Sequence, residues 1–406
     1  MARRIDLIRQ PVIGSRRASQ TASNTLRKKP FDAHRSADRP RADLRHAGRR
    51  SLELYLGHEL VEAFFVMTLL LVVLWYVQYF FGVLGENDGI NTGVTVFLTV
   101  AALYCLFGSP FLHRDTLTSW GLGDPVALWR RVRRGEGAGS RIVAGIVVFL
   151  TCGLAAVAYW QWVEVADFLF DMKAETARAV IAHPAGKIGV GLFVLLLSSF
   201  FCTFVIRYDN FLSALFTVLK ILLPLGTALY LLAFAVMGTT AFSDFEGPKF
   251  ALDVFGYVFW GALQQLLFCS YFGTRLRKGF APAETPENRW KLRLGVAVLN
   301  GAFFGIIHIN SWMLVLVCWV LGSFLSWVFM EDRNRNLVAL GFIHGFLGSS
   351  VGWLFDGDKA GGFEIDMGVG PTHMEGFDPL TIIVVTALIL GFSVFIARAL
   401  WKWPER

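Results

Sequence analysis

The sequence predicts an all-α protein, a polytopic transmembrane helical bundle of about ten spans, and three observations carry that prediction. Of its 406 residues, 55% are hydrophobic and only 17% charged, where a soluble chain of this length is nearer a quarter charged. The apolar residues fall in ten runs of spanning length, near 60–84, 94–112, 142–170, 188–206, 211–240, 251–272, 293–310, 312–330, 337–355 and 379–401. The 37 Phe and 13 Trp suit lipid-facing surfaces and interfacial belts.

Taken in order, the first 50 residues hold 14 Lys and Arg against 4 Asp, with Ser, Thr, Pro and Gln between them. Nothing there can bury a core, so residues 1–55 read as a disordered basic cytoplasmic tail that anchors the topology, the alternative being contact with anionic lipid or nucleic acid; membrane lipid is expected as a partner and nucleic acid is not. No stretch reads as a cleavable signal peptide. The spans within 56–250 follow. Arg114, Arg130, Arg131, Arg133, Arg134 and Arg141 fall between the second and third spans, and Arg275, Arg277, Lys278, Arg289, Lys291 and Arg293 between the sixth and seventh. Arg333 and Arg335 separate the eighth and ninth, whereas the alternate loops carry Glu86, Asp88, Asp244, Glu246 and the acidic residues of 357–378. The positive-inside rule then places both termini in the cytoplasm, 357–378 in the periplasm, and the last transmembrane helix in 379–406 of a bacterial inner-membrane protein.

Smaller features have plain readings. The long 142–170 and 211–240 runs can tilt, kink or split. Lys220 beside Pro224 and Gly226 in the fifth span motivates a transport reading, but a snorkelling lysine and a tolerated kink explain it as well. Glu164 and Asp167 are expected to reach water, as are His183 and His373 in loops. Cys105, Cys152, Cys202, Cys269 and Cys318 all lie in apolar segments and read as buried small hydrophobes.

Residues 251–356 differ from the rest because their apolar runs carry polar side chains: Gln264 and Gln265, then Asn300, His308 and Asn310, then His344. At membrane depth each unpartnered group costs several kcal/mol, so these six are expected to face one another around a shared site. On the sixth span Gln265 and Cys269 form an i, i+4 pair. Gly341, Gly345 and Gly348 flank His344 and permit close approach of a helix or a substrate backbone. Counted from the expected cytoplasmic ends, His308 lies about 9–10 Å deeper than Gln264 and His344, unless the seventh helix tilts or begins in the cytoplasm.

A polar pair, then Phe304-x-x-x-His308, then His344 on a later helix resembles the CPBP family, the CAAX-protease and bacteriocin-processing group of glutamic intramembrane proteases that includes the type II CAAX prenyl endopeptidases. The family's first motif is Glu-Glu with an Arg four residues after the second Glu; the matching positions here are Gln264, Gln265 and Cys269. Asn310, two residues after His308, resembles a bacterial variant of the second motif, while Gly348 stands where the third motif carries Asn or Asp. The resemblance implies a CPBP-like protease core over 251–356 that cleaves membrane-anchored proteins or peptides. It implies catalytic roles for His308, His344, Gln264 and Gln265, with Asn310, Phe304 and Cys269 lining or orienting the site. No cofactor or metal is implied.

Replacing both carboxylates alters the chemistry. An amide accepts no proton at any relevant pH, so a neutral imidazole, His308 or His344, must serve as base if hydrolysis survives. The glutamines can still orient water or stabilise an oxyanion. A Cys269 thiol paired with a histidine, and a zinc site from His308, His344 and Cys269, are two further readings of the same atoms. The alternative to an endopeptidase is a catalytically inactive homologue that binds or scaffolds a membrane partner.

Overall fold

The computed structural model describes residues 48–134, 138–170, 172–243, 245–355, 370–371, 374 and 376–401. Residues 1–47 of the expected tail and most of the acidic loop, with His373 and Asp244, lie outside the described residues, whereas 48–55, expected to be disordered, form the start of the first helix. Helix α1 (Gly48–Val72) runs on into a π-helical stretch, Val73–Val83. Helix α2 (Asp88–Leu103) continues through Tyr104–Gly108 to Ser109–Leu112. A short amphipathic α3 (Pro125–Arg133) precedes α4 (Ala138–Trp160), α5 (Trp162–Phe170), α6 (Ala174–Ala182) and α7 (Pro184–Phe200). Then come α8 (Phe211–Met237), α9 (Gly247–Gln265), α10 (Arg289–Ile306), α11 (Trp312–Met330), α12 (Leu337–Leu354) and α13 (Pro379–Trp401).

Among the described residues nine helices are long and apolar enough to cross a membrane, and the chain is a multi-pass membrane protein. The tenth expected span is α10, which carries Arg289, Lys291 and Arg293 in its first five positions. The 142–170 run splits at Gln161, leaving Glu164 and Asp167 exposed on α5. By contrast, α8 passes through Pro224 unbroken, with Lys220 exposed on its flank. A broken helix beside a charge, the motif that would favour transport, is therefore not formed there. Cys152 is a correction to the expected burial of the thiols, because it lies on an exposed face of α4; the other four cysteines are buried.

A second correction concerns the sixth span. It does not end near 272 but continues from α9 through a π-helical segment, Leu266–Phe272, into about two further turns of helix, Gly273–Phe280. Arg275, expected in a cytoplasmic loop, is on this helix and 0% exposed. Its Nη1 donates to Glu59 of α1 at 2.6 Å, its Nη2 to Asp115 at 2.6 Å, and its Nε to Ser109 Oγ at 2.9 Å. Ser109 in turn donates to Glu62, Tyr271 Oη donates to the same carboxylate at 3.1 Å, and Lys278 pairs with Asp115. His113 lies between Glu59, at 3.0 Å, and Glu62. Three carboxylates thus meet Arg275, Lys278 and a protonated His113, and the cluster is electrically balanced only when that ring is charged. Burial pushes the His113 ring down, but its bonds to Glu59 and Glu62 outweigh this and hold it up at about 9.

Next to this cluster an aromatic core joins α1, α9 and α10. Phe64 meets Phe303 at 5.3 Å between ring centroids, Phe303 meets Phe272 at 5.3 Å, and Phe268 meets Phe304 at 4.9 Å. Helices α10 and α11 pack along each other, as do α9 and α12. A second polar network fixes where α12 begins. Buried Asn336 caps the helix by accepting from Ala339 N at 3.2 Å and donates to Arg207 O at 2.7 Å, while Arg207 bonds Arg335 O and Asp209.

Removing one partner of a buried pair leaves an uncompensated charge, which costs about 3–5 kcal/mol. Glu59→Gln should therefore lower the thermal midpoint in detergent far more than Glu284→Gln, whose partner Arg289 is exposed. The raised His113 value has a signed consequence. Its stabilisation is fully present below pH 6.5 and is lost as the pH rises through about 9. Wild-type melting temperature should fall across that window, and His113→Gln should flatten the fall.

Candidate functional site

The helix that carries Arg275 at one end carries the glutamines between two and three turns earlier. Gln265 is the last residue of α9 before the π-helical segment, and its side chain is 1% exposed. Its Nε2 lies 3.3 Å from His344 Nδ1 on α12, and its Oε1 accepts from Cys269 Sγ at 2.8 Å. His344 reaches it because α9 and α12 approach closely at small residues. A Cβ on Gly261 would stand 2.8 Å from His344 Cβ, and one on Gly341 2.6 Å from the Val258 carbonyl oxygen. The glycines flanking His344 thus serve contact with another helix of this chain.

His308 comes from the third element. Helix α10 ends at Ile306, and residues 307–310 turn back toward α11. His308 Nδ1 lies 2.9 Å from Phe304 O. The Phe304 ring stands edge-on to both imidazoles, with centroids 5.1 Å from His308 and 5.8 Å from His344. One aromatic ring therefore neighbours both histidines. The sixth-span helix runs on to Phe280, so Gln265 lies farther from its end than the expected span boundary implies. Asn300, also on α10, donates to Phe268 O at 3.0 Å and to Ser326 Oγ of α11 at 2.6 Å. Phe268 lies inside the π-helical segment, and such turns recur at functional sites.

These bonds assign the protons. A carbonyl only accepts, so His308 Nδ1 carries the hydrogen, and in the neutral ring Nε2 holds the lone pair. Gln265 Oε1 accepts from a thiol, so its Nε2 donates to His344 Nδ1, which leaves Nε2–H as the donor end of His344. One imidazole offers a base and the other a hydrogen-bond donor.

Gln264, one residue earlier, is half-buried, and its buried Oε1 has no hydrogen-bond partner among the described residues. An acceptor left so costs about 1–3 kcal/mol unless water or a ligand satisfies it. Asn310 is half-buried in the turn after His308. The thiol of Cys269 faces an amide rather than an imidazole, and the described residues form no group of three His, Cys, Asp or Glu able to hold a metal ion. His308, His344 and Cys269 therefore do not make a zinc site.

A family model described as type II CAAX prenyl endopeptidase Rce1-like matches residues 247–349. Residues 247–349 are an Rce1-like domain of the CPBP family. No curated protein and no solved structure matches the chain. The Rce1-like domain spans α9 to most of α12, and so contains every residue singled out by the resemblance. The ion cluster lies partly outside it, and the sequence reading passes over Glu59, Glu62, His113 and Asp115. A signal was present: Glu59 and Glu62 are an i, i+3 acidic pair at the start of an apolar span, where a buried cation is needed to balance them.

The close packing of α9 on α12 can be tested by one substitution made at two places. Gly341→Ala drives a methyl into the Val258 backbone and should cost about 1–3 kcal/mol of stability. Gly352→Ala, on the same helix with nothing within 4 Å, should be neutral or stabilising. Thermal midpoints of the two variants provide the check.

Proposed function

We propose that this chain is a CPBP-type intramembrane endopeptidase that cleaves membrane-anchored proteins or peptides near the bilayer surface. The observation that carries the reading is the bonded series Cys269–Gln265–His344, with His308 across the shared Phe304 ring, inside the Rce1-like domain. In this reading His308 Nε2 takes a proton from water, which attacks the scissile carbonyl. His344 Nε2–H donates to the oxyanion that forms, and as the intermediate collapses and the C–N bond breaks, His308 passes the proton it took to the leaving amine. Gln265 orients His344 by fixing its tautomer, Gln264 Oε1 accepts from the incoming water or a substrate N–H, and Asn310 orients the turn that presents His308. By resemblance, the substrates bear a terminal tail removed in sorting or processing. The basic loops favour a cytoplasmic location for both termini.

One observation favours a second reading. Both carboxylate positions are amides, and Gln265, His308 and His344 are at most 7% exposed. A catalytically inactive homologue that binds a membrane partner fits that closed, carboxylate-free site.

A digest of membrane-anchored peptides by purified protein in liposomes separates the two. Endopeptidase activity predicts cleavage by wild type and a loss of roughly 10²–10⁴-fold for His308→Ala, the base. Gln265→Leu, which leaves His344 without its orienting donor, should lower kcat more than it raises KM. Cleavage that is equal in wild type and His308→Ala removes the histidine from the mechanism. No cleavage by wild type, with peptide binding retained, selects the scaffold.

A further inference from the structure

Away from the histidines, the short helix Gly273–Phe280, the start of α10 and the turn after α11 border an open pocket of about 470 Å³. Arg277, Arg293, Arg333 and Arg335 line it, with Met330, Glu331 and Asp332. Its charges sort into two groups. Arg333 pairs with Glu331 at 2.8 Å, and Arg335 lies 3.3 Å from Asp332 while also bonding Phe329 O and Met330 O. Arg277 and Arg293 make no hydrogen bond or ion pair among the described residues, although both are half-buried. Arg293 is close enough to repel Arg277, while Asp115, Asp332 and Glu284 attract it without forming an ion pair with it.

Two partly desolvated like charges that form no direct ion pair are unfavourable, and an anion bound between them would complete the site. A guanidinium fork matches the oxygens of a phosphate, and two forks left over by the protein's own pairing match its charge. The surroundings suit a membrane surface. Trp290 and Leu294 flank Arg293 on α10, Trp327 precedes the turn on α11, and all three are exposed. Aromatic and apolar side chains next to paired arginines are what the glycerol and acyl chains below a headgroup would meet.

We propose that this pocket binds a phosphate group through Arg277 and Arg293, with Arg335 and Arg333 forming its basic wall. The phosphate comes either from an anionic phospholipid headgroup or from solution. This site is separate from the histidine site and does not rest on the endopeptidase reading.

Native mass spectrometry of the full chain released from phosphatidylcholine nanodiscs, with and without phosphatidic acid, tests the proposal. Wild type should retain phosphatidic acid selectively. Arg277→Gln combined with Arg293→Gln should weaken retention at least about a hundredfold, about tenfold or more for each lost charged hydrogen bond. Arg289→Gln, whose side chain pairs with Glu284 outside the pocket, should retain it like wild type. Titration of wild type in pure phosphatidylcholine with inorganic phosphate distinguishes the sources. Binding there, and displacement of phosphatidic acid by phosphate, assigns the site to free phosphate; no binding there, with lipid retained, assigns it to the headgroup. Undiminished retention by the double variant overturns the proposal. If that variant does not fold, the wild-type arms still decide: selectivity for neither phosphatidic acid nor phosphate over phosphatidylcholine overturns it.

Discussion

Arg275 is the contact on which the arrangement of this protein depends. A guanidinium with no exposure to solvent cannot be tolerated singly, and its anions come from two other parts of the chain, Glu59 on α1 and Asp115 beyond α2. Coulomb attraction inside a protein is strong, but so is the cost of desolvation, and a buried pair is kept only when its remaining polar atoms are also satisfied. Ser109, Tyr271, Lys278 and His113 supply those partners. The cluster therefore specifies position more than it adds net stability. It fixes the N-terminal helices against the Rce1-like domain where hydrophobic packing alone discriminates weakly, since lipid tails are as apolar as leucine.

The histidine site obeys the same rule with neutral groups. Gln265 lies between a thiol donor and an imidazole acceptor, so both ends of its amide are used and its orientation is fixed. That orientation then decides which nitrogen of His344 carries hydrogen. The Phe304 backbone makes the corresponding decision for His308. Two histidines in one site thus present opposite faces, and the difference arises from the neighbours rather than from the rings.

Much of this was legible in the sequence, for identifiable reasons. Gln264, Gln265, Asn300, His308, Asn310 and His344 stand out because lipid penalises each of them, and Gln265, Asn300, His308 and His344 each meet a partner in the structure. The ion cluster was hidden by distance along the chain: Glu59 precedes Arg275 by 216 residues and Asp115 by 160. Charge counting also misassigned Arg275 to a loop, because the positive-inside rule reads a basic residue at the end of an apolar run as water-exposed. The π-helical stretch Leu266–Phe272 was not readable at all, since its residues, LLFCSYF, would serve equally in an ordinary helix. The single-residue approach of α12 to α9 was readable in kind from Gly341 and Gly345, but not in partner.

That stretch has a bearing on how this helix tolerates change. A π turn holds more residues than an α turn, so it advances the angle at which later side chains emerge. Upstream of it the helix addresses α12 through Gln265; downstream it addresses α1 through Arg275. Deleting one residue between them would swing everything that follows by about 100°, carrying the guanidinium off its carboxylates while leaving hydrophobicity unchanged. The spacing between amide and arginine is therefore a fixed length, set to the residue, along a surface whose composition could otherwise drift freely among greasy side chains.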